Sequence, residues 1–181
     1  MIYDIYPTLG PASGMSTVTV YGNEFLGTSM CKFGSLMAPS NTIISSTMLT
    51  CSSPPQADDI VFLEITNNNQ NFTNLRTMYQ FYVDPHVTSI WPTTGPAWGS
   101  TVVTLNGTQF INTQHLVCLF GTHPRVVAKW HSSTTIECLS PVEVGATTMA
   151  IEISNNNQDF TQDGVVFGYE GSCLSLCFLA Y

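Results

Sequence analysis

Asn67-Asn68-Asn69-Gln70-Asn71-Phe72-Thr73 is written twice in this chain, returning at 155–161 as Asn155-Asn156-Asn157-Gln158-Asp159-Phe160-Thr161. Each copy follows an alternating strand pattern, Val61-Phe62-Leu63-Glu64-Ile65-Thr66 and Met149-Ala150-Ile151-Glu152-Ile153-Ser154. Asn tolerates left-handed backbone angles and hydrogen-bonds its own chain, so an Asn/Gln run closed by an aromatic reads as a turn. A turn repeated at domain-sized spacing makes the chain a tandem array.

The repeat extends outward from the turn. Ile5-Tyr6-Pro7-Thr8-Leu9-Gly10-Pro11-Ala12-Ser13-Gly14 aligns with Ile90-Trp91-Pro92-Thr93-Thr94-Gly95-Pro96-Ala97-Trp98-Gly99, and Phe25 with Phe110. Cys31-Lys32-Phe33-Gly34 aligns with Cys118-Leu119-Phe120-Gly121, and Cys51 ahead of Pro54 with Cys138 ahead of Pro141. Short alternating strands broken by Gly, Pro and Asn predict a β-sandwich. No stretch has helical periodicity. The expected organisation is one all-β sandwich over 1–84, a second over 85–170, and an apolar tail at 171–181. Val83-Asp84-Pro85-His86-Val87 contains no Gly/Ser spacer, which predicts sandwiches joined end to end as a semi-rigid rod.

Pro-x-x-Gly-Pro-x-x-Gly, Gly-x-x-Phe, Cys-x-Phe-Gly, a Cys before Pro and the Asn-Asn-Asn-Gln-x-Phe turn, in that order and twice, resemble the IPT/TIG family. The resemblance covers residues 2–170. It implies immunoglobulin-like sandwiches of the kind found in plexins and related receptors, in many protist and bacterial surface proteins, and in some transcription factors. Members often carry Gly inside the Asn-rich turn, where this chain has Asn-Asn-Asn.

Composition limits the function classes. Four basic side chains (Lys32, Arg76, Arg125, Lys129) stand against twelve acidic ones, for a net charge of −8. Nucleic-acid and anionic-membrane binding rest on clustered Lys and Arg, so a DNA-binding reading fails. No window of 18 apolar residues predicts a membrane span. Met1 is followed at once by domain-like sequence, so the chain reads as a piece of a longer precursor.

Cys31 and Cys51 are spaced as Cys118 and Cys138 are, at equivalent repeat positions, which argues for one disulfide per sandwich in an oxidising compartment. Such a loop contributes about 3 kcal/mol on the chain-entropy model. Buried free thiols are the alternative, and the spacing is poor for zinc. In the tail, Cys173 and Cys177 form either a local loop or intermolecular bonds. As a strand, the tail would present Leu174, Leu176 and Phe178 on one face and Tyr181 with both cysteines on the other. It can fold back, begin a further domain, or add to a neighbour's sheet edge, with Leu174, Leu176, Phe178 and Tyr181 as assembly residues.

No catalytic motif occurs, so an enzyme is not expected, nor a cofactor. His86, His115, His123 and His131 are scattered, and Asp58-Asp59 reads as a solvated loop. The sequons Asn71-Phe72-Thr73 and Asn106-Gly107-Thr108 predict N-glycosylation at Asn71 and Asn106; Asp159 removes the sequon from the second turn. The expectation is therefore a non-enzymatic, secreted structural or adhesive module that self-associates into a fibre or surface array. The alternative is a ligand-binding ectodomain fragment of a plexin-like receptor, with Trp91, Trp98 or Trp130 as candidate anchors.

Overall fold

Thr17-Val18-Thr19-Val20-Tyr21 buries Val18 and Val20 and exposes Thr17 and Tyr21, the two-residue alternation of a half-buried strand. The same alternation recurs throughout. The computed structural model describes residues 1–171, and the chain divides into two units, Met1–Asp84 and a second beginning at Pro85.

The first unit contains β1 (Ile2–Tyr6), β2 (Leu9–Pro11), β3 (Thr17–Gly22), β4 (Met30–Phe33), β5 (Leu36–Met37), β6 (Asn41–Ser45), β7 (Met48–Ser52), β8 (Ile60–Thr66) and β9 (Thr77–Tyr82). The second contains β10 (His86–Trp91), β11 (Thr94–Pro96), β12 (Val102–Thr108), β13 (Val117–Phe120), β14 (Val126–Val127), β15 (Lys129–Ser132), β16 (Thr135–Leu139), β17 (Thr147–Ser154) and β18 (Val166–Glu170).

Each unit is a sandwich of a four-stranded and a five-stranded sheet. In the first the orders are β1-β3-β7-β6 and β2-β9-β8-β4-β5; in the second, β10-β12-β16-β15 and β11-β18-β17-β13-β14. The element lists correspond one to one, and both first ladders carry an irregularity near the start, between Ile2 and Asp4 and between Val87 and Ser89. The chain changes sheets between β1 and β2, and again between β10 and β11. The peptide bonds before Pro7 and Pro92 there are cis. Pro11 ends the edge strand β2, where a missing amide donor is tolerated. This β2 runs parallel to β9, with Leu9 opposite Gln80 and Pro11 opposite Tyr82.

The inward faces form one core per unit. In the first, Val18, Val20, Leu49, Leu63 and Phe33 pack with Tyr79 and Phe81, whose rings meet Phe33 edge-on with centroids 5.0 and 6.1 Å away. In the second, Phe120, Phe167 and Tyr169 make an equivalent stack at 5.7 and 5.1 Å. The disulfides Cys31–Cys51 and Cys118–Cys138 join facing sheets through these cores, with Cα atoms 6.2 and 6.4 Å apart. Both thus take the bonded form, not that of free thiols.

Backbone geometry repeats with the sequence. Left-handed residues fall in equivalent pairs: Met15 and Ser100, Glu24 and Gln109, Asn69 and Asn157, with Gly14 and Gly99. At Gly14 and Gly99 a Cβ would also strike the backbone of Pro54–Pro55 or Ser140–Pro141, so only glycine fits.

Candidate functional site

The repeated turn is built around its second asparagine. Asn68 Oδ1 accepts the backbone N–H groups of Gln70 (3.0 Å) and Asn71 (2.9 Å). Asn156 Oδ1 accepts those of Gln158 (3.0 Å) and Asp159 (2.9 Å). The side chain thereby imitates a backbone carbonyl and closes the turn. The third asparagine supplies the left-handed residue, φ 56° at Asn69 and 61° at Asn157. The first ties the turn to the loop after the third strand: Asn67 Nδ2 donates to Glu24 O (3.0 Å), and Asn155 Nδ2 to Gln109 O (2.9 Å). Thr73 Oγ1 accepts the Ile65 N–H at 2.9 Å, and Thr161 Oγ1 that of Ile153 at 3.1 Å.

The two copies differ where the sequence differs. Asn156 Nδ2 donates to the Asp159 carboxylate at 2.7 Å, which locks the second turn. In the first copy Asn71 replaces that acid, and no equivalent bond forms among the described residues. Asn67, Asn68 and Asn71 are exposed, whereas Asn155 and Asn156 are buried. Beside the first turn lies a cavity of about 300 Å³, lined by Asn23, Glu24, Asn68, Asn71, Phe72 and Thr73 among others. Asn106, the other sequon residue, is exposed on β12 and faces Thr135 across the ladder.

Each turn's phenylalanine carries a cation on its ring, Lys32 Nζ 4.5 Å from the Phe72 centroid and the Arg125 guanidinium 5.4 Å from that of Phe160. This pairing was not legible in the sequence, because Lys32 lies on β4 while Arg125 comes from the loop before β14. Lys32 also bonds Glu64 at 3.2 Å, so half of the basic side chains serve the turns.

The tryptophans separate into two kinds. Trp130 is half-buried against the core and donates its indole N–H to Phe110 O at 3.1 Å, which removes it as an anchor candidate. Trp91 and Trp98 are 73% and 64% exposed. Trp98 sits in a loop tied to the opposite one by the bond from Glu143 N–H to Ala97 O (2.7 Å), and Val142 and Val144 on that loop are exposed too. The equivalent of Trp98 in the first sandwich is Ser13.

Titratable groups in the second sandwich are paired across adjacent strands or between segments distant in sequence. The Val144 N–H, and then His123 at 2.8 Å, hold Glu143 below the usual carboxylate range. Burial, aided by the Glu143 charge, pushes the Tyr169 hydroxyl up to about 12. His131 at 2.9 Å, then Lys129, lower Glu137. Burial raises Glu152, although the Thr161 hydroxyl donates to it at 2.5 Å. Asp163 accepts the Val87 N–H at 2.6 Å and pairs with His86 at 2.9 Å. Among the described residues no three His, Cys, Asp or Glu side chains converge as metal ligands. No helix among them is long and apolar enough to cross a membrane. Cys173, Cys177, Leu174, Leu176, Phe178 and Tyr181 lie outside the described residues.

The sequence pattern of the IPT/TIG domain matches residues 1–81 and again residues 85–169. The chain belongs to the IPT/TIG family. Its two IPT/TIG domains are 26% identical to plexin-2 of Caenorhabditis briggsae over 176 residues, and 28% identical to plexin-2 of Caenorhabditis elegans over 182. Each match covers 91% of this chain but 10% of the relative, so the chain spans a tenth of the length of those proteins. Among solved structures, the extracellular region of plexin A4 with domains 1 to 10 superposes with a TM-score of 0.54 at 23% identity, covering 94% of this chain and 15% of that one. A second crystal form, with domains 1 to 8, gives 0.50 at 23% identity over 93% and 18%. These tandem IPT/TIG sandwiches therefore share the fold of plexin extracellular domains.

Proposed function

We propose that this chain is part of the ectodomain of a plexin-like cell-surface receptor and acts there as a non-catalytic binding and spacing module. The observation that carries this reading is the pair of IPT/TIG domains aligned with plexin-2 over 91% of the chain. Two buried disulfides support an oxidising, extracellular setting. The similarity favours this alternative over a self-associating fibre, whose assembly residues fall outside the described part.

Within the module, the exposed end of the second sandwich is the contact surface for a protein ligand. Trp98 with Val142 and Val144 presents apolar area on loops held by backbone bonds, and exposed aromatics are typical interface anchors. The reading is tested by display of the tetramerised chain against an array of purified extracellular proteins and receptor ectodomains. Specific binding lost on Trp98→Ala, with an unchanged melting temperature, is expected. Concentration-dependent assembly by light scattering, with no ligand found, would restore the fibre reading.

A further inference from the structure

We infer that Asn71 is a modification site: it carries an N-linked glycan whose first N-acetylhexosamine sits in the cavity beside the Asn-rich turn. The inference rests on the secretory setting of the receptor reading and assigns a site within it. Its basis is the contrast between the two turns. In the second, the Asp159 carboxylate accepts from Asn156 Nδ2 at 2.7 Å. In the first, only the backbone N–H of Asn71 is engaged, by Asn68 Oδ1 at 2.9 Å. The Asn71 amide and the Asn68 Nδ2 donor have no hydrogen-bond partner among the described residues. Asn71 is exposed, lies in a sequon, and lines the cavity.

The cavity chemistry suits a sugar. Its roughly 300 Å³ is at the lower end of the range for small-molecule sites, enough for one ring. The Oδ1 atoms of Asn23 and Asn68 are already taken by the Met1 ammonium and the turn's own donors. Their Nδ2 groups therefore offer donors and Glu24 an acceptor for hydroxyl and N-acetyl groups, while Phe72 offers an apolar edge. An N-acetyl carbonyl attached through Asn71 supplies Asn68 Nδ2 with the acceptor that Asp159 provides in the second turn. In the transfer, Asn71 Nδ2 bonds to the anomeric carbon of a lipid-diphosphate-linked oligosaccharide. The carbon–oxygen bond to the diphosphate breaks, the lipid diphosphate departs with the electron pair, and one amide proton is released. Transfer precedes folding, because the Thr73 hydroxyl that the sequon requires is afterwards bound to the Ile65 N–H at 2.9 Å.

The test is secretion of the full chain from eukaryotic cells, followed by peptide:N-glycosidase in heavy-oxygen water and peptide mass analysis. The enzyme turns a glycosylated Asn into Asp, which marks each occupied site. Asn71 is expected to be marked, and its release from the native protein to run at least about tenfold slower than from the denatured one, as structural protection requires. Asn106, exposed on a sheet surface, serves as the reference for rapid native release. An unmarked Asn71 beside a marked Asn106 overturns this inference and leaves the receptor reading standing. Neither site marked likewise overturns the inference. Equal native and denatured release at Asn71 overturns the seating of the sugar. Asn71→Asp, which copies the second turn, is expected to fold and to lose only the Asn71 sugar.

Discussion

The residues that differ between equivalent positions are the most informative ones. Arg76 occupies a left-handed conformation (φ 52°) where the second sandwich has Gly164 (φ 73°). A side chain there costs on the order of 1–2 kcal/mol. Arg76→Gly is therefore expected to stabilise the first sandwich by about 1 kcal/mol, once the greater freedom of an unfolded glycine is subtracted. A urea-midpoint increase at unchanged slope is the measurement. Glu152 makes a pH prediction. Its folded pKa is raised above 4.5 by burial, so its favourable contribution is complete below that value and is lost as pH rises through the folded pKa. Glu143 and Glu137 have the opposite sign, contributing above their unfolded values and losing that contribution as pH falls. Glu152→Gln keeps an acceptor for Thr161, so the second sandwich should lose the stability decline just above pH 4.5 while its acid limb persists. Thermal melts between mildly acidic and neutral pH would read this, and an unchanged profile would contradict it. Of the turn, the asparagines as punctuation were legible in the sequence. The cations on Phe72 and Phe160 were not, because Lys32 and Arg125 reach them from different elements.

Strands are where the repeat was most readable, because inward positions such as Val18 and Val20 must alternate with exposed ones. The cysteine spacing proved equally plain once seen twice. It was harder to see that Ile5 to Pro11 is two strands in two sheets, since the Gly-Pro motif fits a turn or an edge equally well on local grounds. The two-residue strands β5 and β14 were also invisible, being too short for any period. Each disulfide joins a strand of one sheet to a strand of the other, across a sequence separation of 20. Replacing Cys31 and Cys51 together by Ala is expected to destabilise the first sandwich by about 3 kcal/mol while leaving the transition of the second unchanged. Chemical denaturation followed at Trp130, which packs only on the second core, against far-ultraviolet dichroism would separate the two.

Across the whole molecule, each sandwich holds its shape through its own core and its own disulfide. The short pairing of β2 with β9 gives that idea a mechanical meaning. β2 leads out toward the N-terminus, β9 leads out toward the C-terminus, and the two run parallel. Once β1 has parted from β3, tension applied through the chain ends drags β2 and β9 in opposite directions along their own axes. The ladder bonds between Leu9–Pro11 and Gln80–Tyr82 are then loaded together in shear, and do not open one at a time like a zip. β11 and β18 repeat the arrangement in the second sandwich. Single-molecule pulling should give two force peaks of similar height, governed by the unfolding barrier. Each should release less chain when the disulfide is intact than after reduction, because the residues it encloses stay looped. A sandwich built this way is a tether with a yield point.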